Sequence, residues 1–175
     1  MKLFDKNIWF TADLHFGHKN VIGYCNRPFA NISEMNSKLI KNFNKTVGKN
    51  DIVYILGDLS FLNTESTKEI VSHLNGFKFL VKGNHDPKTN TFYRKIGFIE
   101  VYDKPIILFN KYILSHDMIQ TNDFVNIHGH THQTVKNSIN NICVSVEMTD
   151  YKPISLDQIN VLNNGFKSGE LCVLP

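Results

Sequence analysis

Asp51-Ile52-Val53-Tyr54-Ile55-Leu56-Gly57-Asp58 is the stretch on which the fold turns. Ile52 to Leu56 are apolar without a break, as in a strand covered on both faces, and the run stops at a glycine followed by a carboxylate. The same device recurs on either side. Upstream, Ile8-Trp9-Phe10-Thr11 runs into Ala12-Asp13-Leu14-His15-Phe16-Gly17-His18. Downstream, Phe77-Lys78-Phe79-Leu80-Val81 runs into Lys82-Gly83-Asn84-His85-Asp86-Pro87. In an open α/β sheet the loops at the carboxyl ends of strands converge on one crevice, so the polar residues of these three loops are expected to meet.

The segments between the strands read as helices. Residues 33–47 place Met35, Leu39, Ile40 and Phe43 on one face, with Ser33 as the expected cap. Residues 66–74 form a second helix stopped by Asn75-Gly76, and residues 89–96 a short third one. Residues 16–32 carry Gly, Asn and Pro punctuation and read as a long irregular segment. Beyond Ile96 the spacing changes to strands at 99–102, 106–109, 112–115, 124–128 and 142–146, with Asn110-Lys111 as a hairpin turn. A helix over 155–163 and a last strand over 170–174 close the chain. Helices alternating with strands, then strands as hairpins, imply an α/β protein with a mixed sheet or two stacked sheets. No repeat or linker divides it, and residues 1–175 are expected to form a single domain.

Composition narrows the function. The chain has 175 residues, 42% hydrophobic, long enough for one substantial core. It contains no apolar run of membrane-spanning length, and its first residues lack the pattern of a signal peptide, so a cytoplasmic location is expected. Three cysteines without a CxxC pair argue against a disulfide framework or a zinc knuckle. A net charge of +3 with scattered lysines gives no dedicated nucleic-acid face. Most of the thirteen Phe and six Tyr fall in apolar runs and read as core.

The histidines are the informative feature. His15, His85, His116, His128, His130 and His132 lie in short polar clusters beside glycine or acidic residues. In an extended segment residues i and i+2 face the same side, so Asp13-x-His15 and His130-x-His132 can each present two ligands to one place. Imidazole, carboxylate and one amide oxygen, without thiolate, favour Mn²⁺ first, with Fe, Co²⁺, Ni²⁺ or Zn²⁺ as alternatives. Asp13, His15, Asp58, Asn84, His116, His130 and His132 exceed the needs of one tetrahedral ion. They suit two ions about 3.5 to 4 Å apart that clamp an in-line phosphoryl displacement.

The ordered set Asp13-Leu14-His15, Gly57-Asp58, Gly83-Asn84-His85-Asp86, Ser115-His116 and Gly129-His130-Thr131-His132 resembles the five motifs of the calcineurin-like metallophosphoesterases. Each motif alone is weak; five in order are specific. The resemblance implies a four-layer αββα sandwich of two mixed β-sheets flanked by helices. It implies one metal on Asp13, His15, Asp58 and His132, and another on Asp58, Asn84, His116 and His130, bridged by a hydroxide that acts as nucleophile. It gives His85 the place of general acid at the leaving group, with Asp86 as the partner that orients it. Ser115-His116-Asp117 departs from the Gly-His common at the fourth motif, and leaves the role of Asp117 open.

Residues 18–29 resemble a loop of a small bacterial and phage subgroup of predicted phosphoesterases. This loop brings His18, Tyr24 and Arg27 forward as candidate substrate contacts. A guanidinium suits bidentate oxyanion recognition, and a surface ion pair is the plain alternative for Arg27. His128, at the end of an apolar strand, reads as a core residue, and His73 as a helix-terminal one. The expected function is phosphate-ester hydrolysis, as a phosphodiesterase on a nucleotide, cyclic nucleotide or nucleic-acid end. A phosphomonoesterase, and a non-catalytic module on the same fold, are the alternatives.

Overall fold

The computed structural model describes residues 6–168; the strand expected over 170–174 lies outside them. Strands β1 (Ile8–Thr11), β2 (Ile52–Ile55) and β3 (Phe77–Val81) lie parallel and in step, with Thr11 opposite Ile55 and Ile55 opposite Leu80. Their carboxyl ends therefore release Asp13, Asp58 and Asn84 along one sheet edge. Strand β4 (Phe98–Tyr102) extends this sheet in parallel beyond β3. The second sheet has the order β5 (Ile106–Leu108), β6 (Tyr112–Leu114), β7 (Val125–His128), β8 (Asn141–Cys143). A two-residue strand, β9 (Ile154–Ser155), completes the first sheet antiparallel to β1.

Of the expected hairpins, β5–β6 is present, while β6–β7 and β7–β8 are parallel. Parallel neighbours need long returns. Those returns carry His116 on one side and His130 and His132 on the other. The hairpin turn sits one residue earlier than Asn110-Lys111, since Phe109 and Asn110 hold the left-handed positions at φ 55° and 54°.

Alternation along the central strands divides two cores. Val53, Ile55 and Leu80 face helix α2 (Ile32–Thr46), helix α3 (Thr64–His73) and helix α4 (Asn90–Lys95) through Met35, Leu39, Phe43, Val71 and Tyr93. Phe10, Leu56 and Val81 join Leu114, Ile127 and Ile142 of the second sheet, together with Ile159 and Leu162 of helix α5 (Leu156–Ser168). The architecture is two mixed sheets with flanking helices. Asn31, rather than Ser33, caps α2, its side chain accepting from the Glu34 amide, and Asn63 caps α3 in the same way. Residues 16–32, read as irregular, contain the short helix α1 (Lys19–Tyr24). Among the described residues no helix is long and apolar enough to cross a membrane.

Candidate functional site

Backbone hydrogen bonds sew the strand-end loops together. Asp13 N donates to Gly57 O at 3.1 Å, His15 N to Asp58 O at 2.9 Å, Gly129 N to His116 O at 3.0 Å and Ala12 N to Val144 O at 3.0 Å. Within this weave Asp13, His15, Asp58, His130 and His132 all hold left-handed backbone, with φ between 47° and 64°. That conformation costs a non-glycine residue about 1–3 kcal/mol and persists only where surrounding structure imposes it. Two glycines make the close approach possible. A Cβ at Gly83 would lie 2.3 Å from Asp58 Oδ1, and one at Gly129 would lie 2.6 Å from Asp13 Oδ2.

Asp13, His15 and His132 form one cluster of potential ligand atoms, and Asp58, His116 and His130 another. In the first, His15 Nε2 stands 3.8 Å from Asp13 Oδ1 and 3.4 Å from Asp58 Oδ2, and His132 Nε2 3.9 Å from Asp13 Oδ1. Asp13 Oδ1 and both His15 ring nitrogens are buried with no hydrogen-bond partner among the described residues. Such atoms are costly unless something charged lies between them. Asp13 Oδ2, in contrast, is fixed by the His130 amide at 2.9 Å and Ser145 Oγ at 2.6 Å, which aims Oδ1 at the cluster.

In the second cluster His116 Nδ1 lies 2.9 Å from Leu56 O. A carbonyl only accepts, so the neutral ring carries its proton on Nδ1 and turns the Nε2 lone pair inward. There Nε2 meets Asn84 Oδ1 at 2.9 Å, His130 Nδ1 at 3.1 Å and Asp58 Oδ1 at 3.5 Å. A ring lone pair facing an amide oxygen is repulsive by itself and is relieved by a cation. The donor set is thus chemically suited to divalent metal.

Electrostatics agrees. Burial, then the charges of Arg27 and neighbouring histidines, push the His15 pKa down to about 2, leaving a neutral ring free to ligate. Burial drives the Asp13 carboxyl above its ordinary range against the pull of His132 and His116. Burial also opposes charge on His132, but the hydrogen bond and charge of Glu147, and then Asp13, outweigh it and raise the ring's pKa.

Glu147 escaped the sequence reading. Its Oε1 meets His132 Nδ1 at 3.0 Å and accepts from Arg27 Nε at 2.8 Å and Nη2 at 2.7 Å. Burial works against the Glu147 carboxylate, yet the His132 hydrogen bond and Arg27 hold its pKa below the ordinary value. The scarcity of arginine was the available signal. Only two arginines occur in the chain, which singles out Arg27 without naming its acidic partner.

Arg27 itself is corrected from a substrate contact to an internal clamp. It is 4% exposed, and its other donors go to Asp13 O at 2.7 Å and Leu14 O at 3.2 Å. Asp86 likewise holds backbone: its carboxylate accepts from Asp58 N, Gly83 N and Leu59 N at 2.8, 2.9 and 3.1 Å. The expected bond from Asp86 to His85 is not among the hydrogen bonds of the described residues. His85 is exposed at the rim, its amide donating to Asp58 Oδ1 at 2.9 Å. His18 stacks on Phe61, ring centres 4.0 Å apart, and Tyr24, 76% exposed, stands edge-on to His18 at 6.4 Å. His128 is buried in β7, Nδ1 at 2.8 Å from Gly129 O. Asp117, on the surface, reaches His130 Nε2 at 3.6 Å.

A family model described as calcineurin-like phosphoesterase matches residues 6–169. The chain belongs to the calcineurin-like phosphoesterases. Among proteins similar to this phosphoesterase is an uncharacterized protein of Methanocaldococcus jannaschii, 40% identical over 165 residues that cover 88% of this chain and 89% of that one. The gene 66 protein of Mycobacterium phage L5 is 39% identical over 83 residues, 46% of this chain and 40% of the phage protein. The crystal structure of a protein of unknown function from Aquifex aeolicus aligns at a TM-score of 0.71 with 27% identity, covering 90% of this chain and all (100%) of that one. Membership carries metal-dependent phosphoester hydrolysis with divalent ions, and the two ligand clusters give those ions residues of suitable chemistry.

Proposed function

We propose that this calcineurin-like phosphoesterase hydrolyses phosphodiesters of nucleotide type with two divalent ions, Mn²⁺ foremost. Asp13, His15, Asp58 and His132 would hold one ion, and Asp58, Asn84, His116 and His130 the other. The orphaned Asp13 Oδ1 and His15 nitrogens carry the reading, because buried ligand atoms on strained backbone and without partners have no structural use unless cations lie among them. When bound, the ions supply Lewis acidity toward a phosphoryl oxygen and lower the pKa of water.

The remaining work falls to the chain. His85, anchored through its amide to Asp58, presents an exposed imidazole beside Asn84, where it can hand a proton to a departing oxygen. Asp86 keeps the Asp58 and Asn84 loops in register. The arginines support preference for a diester. A monoester brings a second negative charge that an added guanidinium would meet. Arg27 is committed to Glu147 and two carbonyls, and Arg94 to Glu100.

The test is hydrolysis of bis(p-nitrophenyl) phosphate and p-nitrophenyl phosphate by chelator-stripped protein, with Mn²⁺ restored and Asp58→Ala as control. Cleavage that needs Mn²⁺ and favours the diester is expected. Faster cleavage of the monoester would overturn the preference, and inertness toward both esters with two ions bound would overturn the activity.

A further inference from the structure

A cavity of about 330 Å³ opens beside His85. Asn84 and His85 form its metal-facing wall, Phe61 and Leu62 come from the loop after β2, and Phe92 and Tyr93 come from α4. Phe61 is 43% exposed and belongs to neither hydrophobic cluster. Its ring lies against His18 at 4.0 Å, His85 at 4.8 Å and His15 at 5.4 Å. A large exposed ring contributes little to the fold there, but set between the first metal motif and the acid it is a stacking platform.

We infer that this cavity is the leaving-group subsite and that it takes a nucleoside. The inference rests on the diesterase reading and adds which half of the substrate goes where. His85 stands between the ligand clusters and the cavity, so the oxygen it protonates belongs to the group lodged among Phe61, Phe92 and Tyr93. The volume lies at the lower end of small-molecule sites, roughly 300–1,000 Å³, and its aromatic walls with a few polar groups suit a base and sugar. In the reaction water adds to phosphorus and the bond from phosphorus to the leaving oxygen breaks. That oxygen takes the His85 proton, and the proton released by water restores the imidazole by way of solvent. One water is consumed, giving a phosphomonoester on the metal side and a free nucleoside hydroxyl in the cavity.

Two measurements on the Mn²⁺-loaded protein test this. The first is the ratio of kcat/KM for adenylyl-3′,5′-adenosine to that for dimethyl phosphate, which offers the cavity no nucleoside. The wild type should favour the dinucleoside, and Phe61→Ala should lower the ratio about tenfold, the scale of one lost base stack. Phe61→Leu, which keeps apolar bulk without the π-face, should lower it too. The second is binding of free adenosine, measured by isothermal titration calorimetry, which should weaken at least tenfold in Phe61→Ala. An unchanged ratio together with unchanged adenosine binding would overturn the subsite even if diesters are cleaved. Adenosine binding that depends on Phe61 in a protein inert toward every diester would keep the subsite and overturn the diesterase reading.

Discussion

The carboxylate of Glu147 holds the imidazole of His132, Oε1 to Nδ1, at 3.0 Å. The same oxygen accepts from Arg27, whose Nη2 reaches back to the carbonyl of Asp13 at 2.7 Å. One buried ion pair therefore fixes two candidate ligands of the first cluster. It orients His132 through its ring and Asp13 through its backbone.

Removing such a support weakens metal binding about 10-fold to 100-fold. Glu147→Gln, which can still accept from His132, should lose less Mn²⁺ in chelator competition than Glu147→Ala. The alanine variant also strands the Arg27 charge and should be destabilised by about 3–5 kcal/mol in urea unfolding. Equal Mn²⁺ affinity in wild type and both variants would remove the positioning role.

His85→Ala should keep both ions, measured by elemental analysis, and lower kcat on an alkyl diester by about 10²-fold or more. The loss should shrink for a p-nitrophenyl ester, whose leaving oxygen needs no proton. Equal losses on both esters would point to a ground-state role for the ring instead of proton donation.

Much of the site was legible because its chemistry sits in short local motifs. Asp13-x-His15, Asp58, Asn84-His85 and His130-x-His132 follow apolar runs, and the structure brings them together at the strand ends. What the sequence concealed depends on tertiary partners. Nothing near Arg27 in the chain reveals Glu147, 120 residues away, or shows that its donors turn inward. Asp86 sits next to His85 in sequence, yet its carboxylate turns toward Asp58, Leu59 and Gly83 amides. The parallel pairing of β6, β7 and β8 was hidden for a related reason: long polar returns without helices look like hairpin loops.

Asp86→Asn separates the two readings of that residue. An amide at this position must turn an N–H toward one of the backbone donors now satisfied, costing about 1–3 kcal/mol. Lower thermal stability with an unchanged pH–rate profile is expected. A displaced acid-limb pKa at full stability would return Asp86 to service as the partner of His85.

The pH dependence of the metal-free protein follows from His15. Its folded pKa of about 2 lies below the ordinary histidine value of 6.5, so as pH falls under about 6.5 the unfolded chain takes a proton that the folded one refuses. Stability from this group is complete above the unfolded value and is lost on acidification toward the folded one. Relative to His15→Asn, the wild type should lose about 1.4 kcal/mol per pH unit below pH 6, read from urea midpoints in chelator. Mn²⁺ should resist this loss while it stays bound, because the ligated ring cannot accept the proton. Parallel stability curves for the two metal-free proteins would mean that His15 reaches solvent and is no buried ligand.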